Sequence, residues 1–401
     1  ILPQIGCGTR GYKENLDFIQ ENTGGVFASL NFNHQAQDFK KFFPSFHLKS
    51  KSLYSKSNKL FELFFDFVTA SNFSDAARIK EIIIKHFTGI QSSLAQNALK
   101  YAISLASNGL SDANAIANQM FGIDYYHRLK ELVTNYDKTQ EHLLAKLDHF
   151  QKTLLCTRGA DLVISCDTKK YNLLSEEDFY GLADIPARSF CPFNSQVLLK
   201  NYTNTAKLIA SGVAFNAKVM NTIPYVHPDT PALAIACHLF DNVVLHKLIR
   251  EQGGAYSSGA SNSPMTGNLY FYSYRDPHIA STLNAFDEAV KTIVDQKYTD
   301  DDLDEAKREI IQSLDTPVAP GSRGDIAYGW MREGKTQEMR QGYRNAILAM
   351  KKEQVTSAVS KHVQEQLNSA SFVTFSGKEL VEKENSRLKK DGRVLLHAEK
   401  I

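Results

Sequence analysis

The chain has 401 residues, 43% hydrophobic and 22% charged, with a formal net charge of +2. That length exceeds one ordinary core and predicts two domains of about 200 residues each. The near-neutral balance supplies no field that would select nucleic acid or an anionic membrane, so neither is expected as a partner.

The most apolar stretch read from the sequence, residues 60–68, is short and carries Glu62 and Asp66, so no bilayer-spanning segment is expected. Five cysteines, Cys7, Cys156, Cys166, Cys191 and Cys237, are odd in number and widely spaced without a CxxC pair. This points to buried, reduced thiols, with the cytoplasm as the expected compartment and a mitochondrial matrix or other organelle lumen as the alternative. The start at Ile1 shows no signal-peptide pattern.

In chain order, residues 11–20 predict a helix ending at Thr23-Gly24-Gly25. Residues 26–32 follow with the alternation of a half-buried strand. Residues 46–54 predict a second strand and 59–70 an amphipathic helix. Ser74 and Asp75 cap a helix through Ile79, Ile82, Ile83 and Phe87. Residues 92–107, 111–133 and 138–153 continue helical, and 162–166 read as a short strand. Around Pro186 and Pro192 the pattern breaks, which places a linker at 181–195 between domains 1–180 and 196–401. Beyond it, residues 197–199 and 206–220 read as strands, 232–250 as a strongly apolar helix and 268–274 as a strand. Asp276-Pro277 opens a helix through Leu283, Phe286, Val290 and Ile293. Residues 300–314 and 352–367 are helical, and 371–377 form a closing strand.

Two stretches repeat. Residues 18–29 match 248–258, each a helix end, a double glycine and an extended run, with Thr23 as an insertion. The repeat implies an α+β protein of two homologous α/β-roll domains, each a mixed sheet backed by helices. The second copy has about 50 residues ahead of its Gly-Gly and the first only 23, so the first domain's opening strands are expected upstream of Ile1. Gly-Gly stops a helix because glycine takes the left-handed C-cap conformation without steric cost. Local sequence alone says no more than a capped helix and a turn. Where the second copy has Arg250 and Tyr256, however, the first has Gln20 and Phe27. Only one copy carries a guanidinium and a phenol, and that asymmetry points to function.

No reaction centre can be assembled from the residues. HExxH, GxSxG, Walker A and GxGxxG patterns are absent. HxxEH is one residue short at 138–142, where Lys138 replaces the first His, and at 362–366, where Gln366 replaces the second. Both read as solvated helix faces, and no metal ligand is assigned. His227-Pro228-Asp229 reads as a turn, and Tyr270, Tyr272 and Tyr274 as packing residues on one strand face.

The segment from Arg250 through Gly253-Gly254-Ala255-Tyr256-Ser257 resembles the RxxGGAYG stretch of the pitrilysin/insulinase zinc metallopeptidases, in their presequence-protease, falcilysin-like branch. Ser273-Tyr274-Arg275-Asp276-Pro277 matches that branch's SYRDP segment, and Thr23-Gly24-Gly25 its earlier Gly-Gly stretch. The resemblance implies the C-terminal half, third and fourth domains, of an endopeptidase for short unfolded peptides. Its zinc would be bound by the N-terminal half, its partner across a closed chamber. It implies transition-state and carbonyl binding by Arg250 and Tyr256, and substrate contacts along Gly253, Gly254, Ala255, Ser257 and Ser258. Ser257 and Ser258 stand where glycines are common. The alternative is a catalytically inactive scaffold subunit of a pitrilysin-like complex.

Overall fold

A computed structural model describes residues 1–155, 160–185, 193 and 197–401. The first part is helical: α1 (Tyr12–Asn22), α2 (Ser57–Thr69), α3 (Ala76–Ser93), α4 (Ala98–Ser107), α5 (Asp112–Phe121), α6 (Ile123–Thr134), α7 (Tyr136–Phe150) and α8 (Thr168–Glu176). Its strands make two antiparallel ribbons. One pairs β1 (Val26–Asn31) with β4 (Ser45–Ser50), the other β2 (His34–Gln35) with β3 (Asp38–Phe42).

The second part contributes β5 (Thr205–Leu208), β6 (Ala214–Asn221), β7 (Ser257–Ser263), β8 (Asn268–Asp276), β9 (Ser371–Ser376) and β10 (His397–Lys400). They form one six-stranded mixed sheet in the order β10-β5-β9-β6-β8-β7. β10, β5 and β9 run parallel to one another, and the remaining pairings are antiparallel. Its helices are α9 (Thr230–Leu239), α10 (Ala280–Val294), α11 (Asp300–Leu314), α12 (Arg323–Arg332), α13 (Gln337–Ala349), α14 (Lys352–His362) and α15 (Lys378–Lys390).

Helix starts follow local chemistry. The Asp75 carboxylate accepts from Arg78 N at 3.0 Å and caps α3. Thr299 and Asp302 close a capping box on α11, whose first turn holds three aspartates at the positive end of the helix dipole.

Both faces of the sheet are covered. On one, Phe271 of β8 packs between Phe240 (ring centroids 5.1 Å apart) and Phe286 of α10 (5.4 Å), with Leu233, Leu245 and Val290 around them. On the other, Phe215 and Val219 of β6 and Phe375 of β9 meet Tyr101 and Leu105 of α4 and Ile123 and Tyr126 of α6. A third cluster joins Leu63 and Phe67 of α2, Ile79, Ile82 and Ile83 of α3, and Tyr136.

The α+β class is as expected, with corrections. The first part carries no mixed sheet among the described residues, only the two ribbons. In β1 only Val26 is buried, and Phe27 and Leu30 are exposed, because β4 is its single pairing partner and no layer covers its apolar residues. Residues 162–166 and 197–199 lack ladder partners and are not strands, and Leu198 is 89% exposed. β9 is not a closing strand. It lies in the sheet interior, followed by α15 and β10. Much of the expected linker, with Pro186 and Pro192, lies outside the described residues, as do Cys156 and Cys191; Cys7 and Cys237 are buried free thiols. Thr230–Glu251, not residues 60–68, is the stretch long and apolar enough to cross a membrane. Its apolar side chains, Leu233, Phe240, Val244 and Leu245 among them, pack in the sheet core.

The expected start of α10 is displaced to Ala280. Arg275 adopts a left-handed φ of +50°, and buried Asp276 accepts from His278 N (2.8 Å) and the Thr282 hydroxyl (2.6 Å). The first N–H groups of α10 are satisfied from afar: fully buried Glu384 of α15 accepts from Ile279 N (2.8 Å) and Ala280 N (2.9 Å) and pairs with Arg387 (2.8 Å). Charge-assisted bonds of this kind contribute about 1.5–3 kcal/mol each. Glu384→Ala is therefore expected to lower unfolding stability by about 3 kcal/mol, with Glu384→Gln much milder because it retains an acceptor oxygen. Equilibrium denaturation of the two variants checks this.

Candidate active-site turn

The helix leading to the second double glycine changes character along its length. α9 is an ordinary helix, and Phe240–Glu251 continues it with π-type winding, so Gln252 N donates to Lys247 O at 3.0 Å. Wide turns of this kind are rare and concentrate at functional sites. The helix then closes with Gly254 N donating to Arg250 O and Ala255 N to Ile249 O, both at 3.0 Å.

Each glycine has its own reason. A Cβ at Gly253 would lie 2.6 Å from Ile249 O, and Gly254 has φ +77°. The first copy ends the same way, with Gly25 at φ +100° between α1 and β1.

Arg250 and Tyr256 flank this turn. Arg250 is exposed and its Nη1 lies 3.2 Å from His246 Nε2, while His246 Nδ1 is 3.5 Å from Glu251. Tyr256 is 69% exposed, its ring set edge-on to Tyr274 at 6.0 Å. Tyr256 N donates to Tyr274 O (3.2 Å), Ser257 pairs with Tyr274 across the ladder, and Arg275 Cζ lies 5.6 Å from the Tyr274 ring centroid. The two motifs singled out in the sequence are thus neighbouring strands of one sheet, with β7 at its edge. Gln20 and Phe27 in the first copy are likewise exposed, but offer an amide and a bare ring.

The remaining expected residues divide. Ala255 is buried at 4% exposure, and the Ser258 hydroxyl donates to Leu245 O at 3.2 Å, so both face the helix beneath. Gly254 is exposed, and Gly253 and Ser257 are partly so.

Sequence reasoning missed Asp241. It sits in the π-wound segment and accepts from Ala260 N of β7 at 2.7 Å, fastening the edge strand to the helix. Burial raises its carboxyl pKa to about 7, the Ala260 N–H opposing and Glu309 reinforcing that shift. No motif announces this aspartate, because its partner is a backbone amide 19 residues away.

Neither near-miss zinc motif is a ligand set. Glu141 and His142 are exposed on α7. His362, expected on a solvated face, has only 11% side-chain exposure and pairs with Asp229 at 2.8 Å. The HxxEH set that the resemblance implies is not in this chain.

A family model for the domain associated with subfamily C of the M16 peptidases matches residues 1–132, and one described as "PreP C-terminal domain" matches residues 211–373. The chain belongs to the peptidase M16 family, in its presequence-protease branch. The mitochondrial presequence protease of Danio rerio is 25% identical over 388 residues, covering 90% of this chain and 37% of that protein. That of Emericella nidulans is 28% identical over 362 residues, covering 86% and 34%. The chain thus spans little more than a third of the length of these relatives.

Among solved structures, the peptidase M16 inactive domain of Pseudomonas fluorescens aligns with a TM-score of 0.60 at 14% identity, covering 94% of this chain and 86% of that one. The first half of the periplasmic protease PqqL of Escherichia coli aligns with a TM-score of 0.61 at 12% identity, covering 99% and 87%. These show the shared M16 fold. The relatives' mitochondrial naming lends no support to the cytoplasmic expectation and fits its alternative.

Two outcomes follow from the turn and its fastening. Gly254→Ala places a side chain at positive φ and is expected to cost about 1–2 kcal/mol. Gly253→Ala, blocked by a backbone oxygen, should cost more in the same denaturation series. The folded Asp241 holds a proton that the unfolded chain releases between pH 3.8 and about 7. Its contribution is full below that window and lost as pH rises through it. Melting curves at pH 5 and pH 8 should therefore differ less for Asp241→Asn than for wild type.

Proposed function

We propose that the chain is the non-zinc-binding part of a metalloendopeptidase for short unfolded peptides, and that Arg250 and Tyr256 bind the substrate carbonyl. The observation that carries this is the exposure of a guanidinium and a phenol at the two ends of one rigid turn. The sister turn holds the same backbone with neither group.

When a peptide carbonyl is attacked, negative charge develops on its oxygen. The Tyr256 O–H and an Arg250 N–H donate hydrogen bonds to that oxygen, and each such donor contributes about 3–4 kcal/mol. Tyr256 is steadied by Tyr274 and by its backbone bond to β8, while Arg250 has only to swing away from His246. Zinc, held by the partner half, supplies the activated water. Gly253, Gly254 and Ser257 give an extended substrate room to approach the edge of the sheet, and Ala255 and Ser258 support the turn from beneath. The compartment proposed is the mitochondrial matrix, in keeping with the relatives.

In the full-length protein, Tyr256→Phe is expected to lower kcat by about tenfold or more, with folding intact and KM little changed. Arg250→Ala should lower kcat/KM by a similar factor. Peptide-cleavage kinetics of the two variants beside wild type test this. Unchanged turnover would instead favour a scaffold role.

A further inference from the structure

Away from the turn, three metal-type donors meet that sequence spacing could not connect. His227 and Asp229 lie in the tight loop between β6 and α9, and His362 ends α14, 133 residues after Asp229. His362 Nε2 is 2.8 Å from Asp229 Oδ2, His227 Nδ1 is 3.9 Å from the same oxygen, and one donor atom from each residue lies within 4.8 Å of the others. The two imidazoles stand edge to face with centroids 5.4 Å apart. All three side chains are partly buried, so the cluster is neither a loose surface group nor sealed from solvent.

We propose that His227, Asp229 and His362 form a binding site for one borderline divalent cation of the zinc class. Two imidazole nitrogens and one carboxylate oxygen are the donor set such ions select over calcium or magnesium, which favour oxygen cages. Around a tetrahedral ion with bonds of about 2.0–2.1 Å, donors stand about 3.3 Å apart. Rotating the two rings and opening the Asp229–His362 hydrogen bond slightly reaches that spacing. The ion takes the place of the proton shared between His362 Nε2 and Asp229. A neutral ring shifts that proton to Nδ1, and a charged ring releases one to solvent. His227 Nδ1, which now accepts from Asp229 N at 3.1 Å, turns its lone pair to the ion, and water completes the sphere. Lys361 Nζ, 4.0 Å from Asp229 on a largely exposed stem, swings aside.

The loop is built to hold such a set. His227 N donates to Pro224 O (3.0 Å), Thr230 N to His227 O (3.0 Å), and the fully buried Thr230 hydroxyl to Pro224 O (2.8 Å). Ala36, from the first part of the chain, bridges Val226 N (3.4 Å) to Glu333 O (2.9 Å). An ion here clamps the start of α9 to the end of α14. Its role is structural, and it rests on neither the peptidase reading nor the zinc of a partner half.

The test titrates ZnCl2 into the chelator-stripped 401-residue chain by calorimetry, with a parallel melting curve. Wild type is expected to take up one equivalent and melt at higher temperature with zinc than with EDTA. His227→Ala, Asp229→Asn and His362→Ala each weaken binding by about tenfold or more and abolish the thermal shift. His142→Ala, on the exposed face of α7, leaves both unchanged. His362→Gln, which keeps a donor for Asp229, serves if His362→Ala fails to fold. Zinc-edge X-ray absorption on the loaded chain should show scattering from two imidazoles. Absence of an equivalent in wild type, or binding undiminished in the His227 and His362 variants, overturns the site.

Discussion

Strand β6 is buried on both faces, and everything else is arranged to make that tolerable. Ala214 through Met220 are all below the surface, so neither side chains nor backbone can rely on water. Antiparallel ladders to β8 and β9 absorb the backbone groups. The side chains split by parity. Phe215, Ala217 and Val219 turn toward α4 and α6. Asn216 and Lys218 turn the other way, where Ser273, His278 and Asp287 supply partners at 2.9–3.0 Å. Burial pushes the Lys218 pKa down and Asp287 pulls it back, a balance that ties β6 to α10 and, through Arg393, to the chain's last turn.

One consequence concerns the division of the chain. The helices covering the Phe215 face belong to the first part, residues 98–134, so the two sequence repeats share a core. Period-two and period-3.6 patterns identify individual strands and helices, because each element's own burial writes the pattern. They cannot say which element covers which, since α4 would show the same apolar stripe against any partner. For that reason the helices of the first part were legible almost residue by residue, while their docking on a sheet about 100 residues later was not. β1 marks the opposite limit: alternation without a covering layer reads as a half-buried strand and is an exposed one.

The candidate site divides along the same line. Arg250, the double glycine and Tyr256 lie within seven residues, where a repeat and a motif can be seen by eye. Asp241 and Glu384 matter as much to the local geometry, but each acts on backbone amides far away in sequence, and amides carry no signature. The cluster of His227, Asp229 and His362 escapes detection similarly. Its one legible trace, the near-motif at His362, points to a helix-face partner four residues on, whereas the partner in space is a loop 133 residues earlier.

The two Gly-Gly turns separate architecture from chemistry. Both end a helix, both place the second glycine at positive φ, and both leave the aromatic ring after it exposed, Phe27 at 64% and Tyr256 at 69%. Holding a large ring out in water brings a fold no stability, so the exposure of Phe27 shows that this geometry follows from the turn itself. What distinguishes the second copy is one phenolic oxygen, one guanidinium and the π-wound helix with Asp241 pinning the edge strand. A phenol adds nothing to a turn that a phenyl ring already satisfies, and an arginine at a helix end complements the dipole no better than a lysine. The two groups gain a physical rationale only when something electron-rich is brought to the edge of the sheet.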